Sequence, residues 1–219
     1  MQPLSRQGIA HRAARDIPEG AYVNLGVGIP TLVAGCMPAG REVILHSENG
    51  ILGLGPPPPK GEEDWEVVDA GKRPVTLLPG AAVFSHSDSF MMIRGGHIDI
   101  SLLGAFEVSE RGDIANWKAL GSNLAPAVGG AMDLAVGAKQ VWVLMEHVRK
   151  DGAPRILERC GFPLTAPAAV SRIYTDLALI EVTPDGLVVR EIVEGLDFEG
   201  LQARTGARLV LAPDCGVLH

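Results

Sequence analysis

Residues 140–145 read QVWVLM, a near-continuous apolar run of strand length. A strand apolar on both faces is the mark of a parallel strand covered by helices on either side. Working outward, strand-like and helix-like stretches largely alternate. Before the run, 131–138 reads as a short helix and 97–104 (HIDISLLG) as a strand. Ser85 caps a helix over 85–94, which Gly95-Gly96 ends. Upstream, 42–46 (EVILH) and 21–25 (AYVNL) are strands, and 4–17 is a helix stopped by Pro18 and Gly20. After the run, 154–160 reads as a short helix. Segments 173–182 and 187–192 flank a Thr-Pro-Asp-Gly turn as a hairpin, Asp197 caps a helix over 198–205, and 208–211 is a final strand. The pattern predicts a single-domain α/β fold with a mixed, mostly parallel sheet flanked by helices. No internal repeat or linker divides the 219 residues.

The remaining stretches read as turns and loops. Residues 74–84 (PVTLLPGAAVF) give two short strand-like runs joined at Pro79-Gly80. Residues 110–113 turn into a short strand at 114–117, and 121–130 is loop-like. Four consecutive prolines, Pro56 to Pro59, exclude helix and central strand, and predict a stiff exposed excursion. Phe90, Met91 and Met92 read as core.

Bulk properties exclude several functions. A net charge of −7 without a basic stripe argues against nucleic-acid binding. No run of about 18 apolar residues predicts a membrane helix. Three cysteines, Cys36, Cys160 and Cys215, show no CxxC spacing, and residues 1–16 lack the apolar region of a secretory signal. The expectation is a reduced, cytoplasmic protein. His86-Ser87-Asp88 lacks further ligands at a recognisable spacing, so no metal is expected.

Two stretches carry candidate chemistry. In LGVGIP, Gly26 and Gly28 bracket a tight turn and Pro30 opens a helix running to about Met37. Strand, glycine loop and helix N-terminus in that order can present N–H groups to an anion. The second stretch is LHSENGILGLGP, residues 45–56. Glu48 stands before the turn signal Asn49-Gly50, at the end of an apolar run. Neighbours on a strand point to opposite faces, so His46 and Ser47 are excluded as a base–nucleophile pair, whereas His46 and Glu48 can share a face. On local pattern alone, Glu48 reads more readily as a surface carboxylate beside a turn.

LHSENGILGLGP closely resembles the signature of the beta subunit of family I CoA-transferases, the 3-oxoacid and 3-oxoadipate enzymes. VNLGVGIPT, AGKRPVTLLPGA, DSFMMIRGGHID, ANWK, GGAMDL, VLMEH, KDG, FPLT and YTDLA resemble the same subunit in the same order. The resemblance spans about Ile9 to Pro213. It departs at the four-proline loop and at Ser85, where the family commonly has an acidic residue. It implies a CoA-transferase fold and a nucleophilic role for Glu48. It implies that Asn24 positions Glu48 or the thioester, and that Gly129 or Gly130 supplies an oxyanion-hole N–H. The loop residues Gly26, Gly28, Asn49 and Gly50 are implied in holding CoA and substrate. The implied reaction moves CoA from succinyl-CoA to acetoacetate or 3-oxoadipate, with CoA as substrate and no permanently bound cofactor. The implied partner is an alpha subunit in an α2β2 assembly, which would also help meet the anionic substrate. A CoA-ester hydrolase using the same Glu, and a non-catalytic assembly subunit, are the alternatives.

Overall fold

The structure, a computed structural model, describes residues 1–119 and 127–219. The expected loop at 121–130 falls largely outside the described residues, and 127–130 carry neither helix nor strand.

The chain forms α1 (Arg6–Asp16), β1 (Tyr22–Leu25), a 3-10 helix (Ile29–Gly35), β2 (Ile44–Ser47), β3 (Ile51–Leu54), β4 (Leu77–Val83) and α2 (His86–Arg94). It continues through β5 (Ile100–Leu103), β6 (Glu107–Ser109), β7 (Ile114–Ala115), α3 (Ala131–Gly137), β8 (Gln140–Leu144) and β9 (Ile156–Leu157). It ends with β10 (Val170–Tyr174), β11 (Ala178–Thr183), β12 (Gly186–Val193), α4 (Phe198–Gln202) and β13 (Leu209–Leu218). A ten-stranded mixed sheet has the order β13-β12-β11-β10-β8-β5-β1-β2-β3-β4, and β7-β6-β9 form a small second sheet.

The QVWVLM run is β8, parallel to β5 on one side and to β10 on the other. Val141 to Leu144 are all buried, as a strand covered on both faces requires. Five strands, β10-β8-β5-β1-β2, run parallel, so their carboxyl ends lie along one edge. From β1 the chain passes to β2 on one side and later returns to β5 on the other. That reversal opens a crevice at the carboxyl ends, the usual ligand position in open α/β sheets.

Helix α1 packs its Ile9, Ala10, Ala13 and Ala14 face inward. Its Arg12 is also buried, where burial works against its charge. Two hydrogen bonds to Glu191 of β12 (2.6 and 2.7 Å) and one to Asp16 (2.7 Å) compensate, and its pKa is driven up by these carboxylates.

The sequence expectations need six corrections. The segment opened by Pro30 is a 3-10 helix ending at Gly35 rather than an α-helix to Met37. Residues 51–54, between glycines, form β3 against β2. Residues 77–83 make one strand through Pro79-Gly80, with Gly80 at φ 86° absorbing the irregularity. Residues 154–160 are not a helix. Arg155 and Leu157 carbonyls accept from Val108 and Glu110 of the neighbouring β6 segment, at 2.9 and 2.8 Å, and this pairing draws the segment into β9. Residues 173–182 are two strands, because Thr175 Oγ1 accepts from the N–H groups of Leu177 and Ala178 and turns the chain. Met91 is exposed, although Phe90 and Ile93 on the same helix are buried. Among the described residues, no helix is long and apolar enough to cross a membrane.

Candidate active site

Strand β2 ends at Ser47, and Glu48-Asn49-Gly50 turn the chain into β3, with Ser47 pairing Ile51. Gly50 sits at φ 117°, and a Cβ there would collide with the Phe84 carbonyl. Asn49 Nδ2 donates to the Val68 carbonyl at 2.8 Å and pins the turn. Asn49 and Gly50 therefore build the hairpin, and neither lines the cleft described next.

Glu48 is half-buried and faces a cleft of about 570 Å³ at the carboxyl ends of β1, β5 and β8. Gly26, Gly28, Gly104, Gly129 and Gly130 line the same cleft, with Phe106 and Asn116. Gly26 is fixed by close approach. Its N–H donates to Leu102 of β5 at 2.8 Å, and a Cβ would lie 2.7 Å from that same carbonyl oxygen. The Gly26 N–H is thus committed to the sheet and does not serve as an anion donor. Gly130 packs on the ring of Phe90 from α2. An added Cβ would lie 2.7 Å from Phe90 Cζ and 3.8 Å from Glu48 Cγ. Gly129 adopts φ 54°, which favours glycine.

Behind Glu48 runs a buried polar row. Asn24, fully buried on β1, directs Nδ2 to Glu48 Oε2 at 3.2 Å and to His46 Nδ1 at 3.0 Å. Asn24 and His46 are register partners on adjacent parallel strands, so their side chains share one face. His46 Nε2 meets Ser89 Oγ of α2 at 2.9 Å. An amide N–H can only donate, so His46 Nδ1 accepts and the ring proton resides on Nε2. Burial pushes the His46 pKa down to about 4, so the ring is neutral near pH 7. Asn24 Oδ1 is buried without a partner among the described residues, and so is Ser101 Oγ at the paired position of β5. An unsatisfied buried acceptor costs about 1–3 kcal/mol. Ser47, adjacent to His46, turns the other way and accepts from the Ala70 N–H at 2.9 Å, which rules out a pairing of Ser47 with His46.

The sequence reading missed the cations of this cleft. Arg6 Nη2 and Arg155 Nη1 stand 2.7 and 3.7 Å from the two oxygens of Glu146, and all three side chains line the cleft. Burial pushes Glu146 up, but the Arg6 hydrogen bond and the two guanidinium charges outweigh it and hold it below the usual carboxylate range. Two guanidiniums share one carboxylate there, leaving a positive charge in excess at that end. Arg155 was hidden inside the segment expected to be a helix, and Arg6 read as the polar face of α1. Cys160 lies outside any helix, and burial, with the charges of Glu107 and Asp113, pushes its pKa up to about 12. A thiol so far from ionisation is not a competing nucleophile.

The chain is similar to known proteins along nearly its whole length. The model of the family described as Coenzyme A transferase matches residues 6–201, and the chain belongs to that family. It is 56% identical over 207 residues to a 3-oxoadipate CoA-transferase subunit of Acinetobacter baylyi, covering 94% of this chain and 95% of that one. It is 45% identical over 202 residues to a succinyl-CoA:3-ketoacid coenzyme A transferase subunit of Helicobacter pylori, covering 92% and 97%. Among solved structures, an acyl-CoA transferase from E. coli O157:H7 in a thioester complex with CoA superposes with a TM-score of 0.76 at 19% identity. It covers all of this chain, which spans 43% of that longer one, and it bears out the fold expected from the resemblance.

Proposed function

We propose that the chain is the nucleophile-bearing subunit of a CoA-transferase, moving CoA from succinyl-CoA to a 3-oxo acid through a glutamyl-CoA thioester on Glu48. The observation that carries this reading is the placement of Glu48 in the cleft, with Oε2 held by the Asn24 amide and Cγ against Gly130. A Glu48 oxygen attacks the thioester carbonyl and expels CoA thiolate, leaving a mixed anhydride. The thiolate attacks the Glu48 carbonyl, forms the enzyme thioester and releases the donor acid as its carboxylate. The acceptor carboxylate reverses the two steps, and the kinetics are ping-pong. Each attack builds negative charge on a carbonyl oxygen. Gly129 and Gly130 supply backbone N–H groups at that side of the cleft, one such donor being worth about 3–4 kcal/mol.

The acceptor proposed is 3-oxoadipate. Relatives at 56–58% identity carry that name, against 45% for those named for 3-ketoacids. The excess charge at Arg6 and Arg155 supports it, because this acceptor has a second carboxylate and acetoacetate does not.

A partner chain completes the site in this reading, in an α2β2 assembly. The relatives are named as one subunit of their enzymes, which supports a partner. The exposed apolar groups around the cleft, Val27, Phe106, Met132 and Val136, support it too. Glu48→Gln, co-expressed with the partner chain, tests the reading. Loss of CoA transfer from succinyl-CoA with the assembly intact supports it, and full turnover contradicts it. Thiol release without any acceptor acid would indicate a hydrolase instead.

A further inference from the structure

We propose that His46 and Ser89 are positioning residues for Glu48, acting through Asn24: the imidazole fixes which way the Asn24 amide faces. This inference rests on Glu48 being the nucleophile.

Asn24 can present either N–H or C=O to its neighbours, and the two orientations have nearly the same shape. Facing an ionised Glu48, only the N–H orientation is attractive, since a carboxylate accepts and cannot donate. Glu48 favours that choice from the turn, and His46 holds it from the other side. Its Nδ1 lies 3.0 Å from Asn24 Nδ2 and accepts from it when the ring proton sits on Nε2. Ser89 Oγ, 2.9 Å from Nε2, is placed to accept that proton and so to hold this tautomer. All three side chains are fully buried, so water does not substitute for any of them. The alternative amide orientation would place Oδ1 against Glu48 Oε2, within 3.2 Å, and push the nucleophile away. Meanwhile Oδ1 is left without a partner among the described residues, so the orientation is held from the Nδ2 side alone.

The row Ser89–His46–Asn24–Glu48 draws on α2, β2, β1 and the β2–β3 turn. None of its first three members lines the cleft with Glu48, and so none is a catalytic residue. Their effect is expected in kcat and not in KM, because substrate does not touch them.

The test uses the assembled enzyme, with Ser89→Ala, His46→Asn, His46→Leu and Asn24→Ala, and with Ser89→Ala and His46→Leu each combined with Asn24→Ala. His46→Asn keeps an acceptor near the Nδ1 position, and His46→Leu removes it. The expected result is a kcat loss of about 3- to 10-fold for Ser89→Ala, and a larger one for His46→Leu that His46→Asn partly restores, with KM changed less than twofold. In the Asn24→Ala background, neither Ser89→Ala nor His46→Leu should lower kcat further, because the relay is already cut. Ser89→Ala is small enough to fold if His46→Leu is not. Unchanged kcat in Ser89→Ala, or equal losses with and without Asn24, would overturn the proposal. Glu48→Gln run alongside separates the two failures. If it is inactive while Ser89→Ala and His46→Leu are fully active, Glu48 stands and the relay falls. If Glu48→Gln turns over normally, the underlying reading falls.

Discussion

Gly130 and Glu48 are nearly in contact: a Cβ on Gly130 would sit 3.8 Å from Glu48 Cγ, and 2.7 Å from Phe90 Cζ. The first distance leaves room for a methyl group, and the second does not. Gly130→Ala must therefore shift Phe90 or the backbone that faces Glu48. Overpacking of this kind costs about 1–3 kcal/mol of stability. A displacement approaching 1 Å at the reacting groups lowers kcat by on the order of 10²-fold. Thermal melts and steady-state kinetics of the variant check both effects. Wild-type kcat would show that this contact does not set the position of Glu48.

Arg12 ties α1 to β12 across the molecule. It is buried, and its carboxylate partners Asp16 and Glu191 are half-buried. Removing one member of such a network strands the others, and Arg12→Ala is expected to lose about 3–5 kcal/mol in urea denaturation. Asp16 also accepts from the Tyr174 hydroxyl at 2.8 Å, so Tyr174→Phe combined with Arg12→Ala should cost less than the sum of the two.

Stability should fall on mild acidification. His147 is fully buried between Thr175 and Thr205 (3.0 and 2.9 Å), and burial, with the Arg204 charge, pushes it down to about 4. His46 is likewise pushed down to about 4 by burial. Between about 6.5 and 4 the unfolded chain binds protons that the folded chain refuses, so stability drops as pH falls through that window and the loss is complete below about 4. From pH 7 to pH 5 each histidine contributes a loss of about 2 kcal/mol. Denaturation at the two pH values checks the sum, and His147→Gln should flatten the slope by about half.

How much of this was legible in sequence varies by element. β8 was plain, because a strand buried on both faces cannot hide its apolar run. Helix α1 was plain from its stop at Pro18 and Gly20, and α2 from its cap Ser85. β3 was hidden by Gly53 and Gly55, which read as loop until β2 and β4 are in place to pair with it. β9 was hidden because two residues of strand are specified by β6, almost fifty positions away. In the site, Glu48 was found by its motif. Asn24 was named beside it by the same resemblance, but the rest of its support was not, since His46 and Ser89 join it only through the β1–β2 register and α2, and Arg155 meets Glu146 only after the chain has folded.

The proposed preference for 3-oxoadipate is tested at Arg155. Arg155→Ala should raise KM for 3-oxoadipate by about 10-fold or more, the worth of a charge-assisted hydrogen bond. KM for acetoacetate should change little. Equal effects on both acids would remove the cation pair from acceptor recognition.

The central claim is a covalent bond between CoA and Glu48. The assembled enzyme, incubated with succinyl-CoA and no acceptor, should yield on peptide mass spectrometry a fragment containing Glu48 heavier by CoA less one water. The addition should vanish when 3-oxoadipate is supplied. An adduct on another residue, or transfer that proceeds with Glu48 unmodified, would contradict the account.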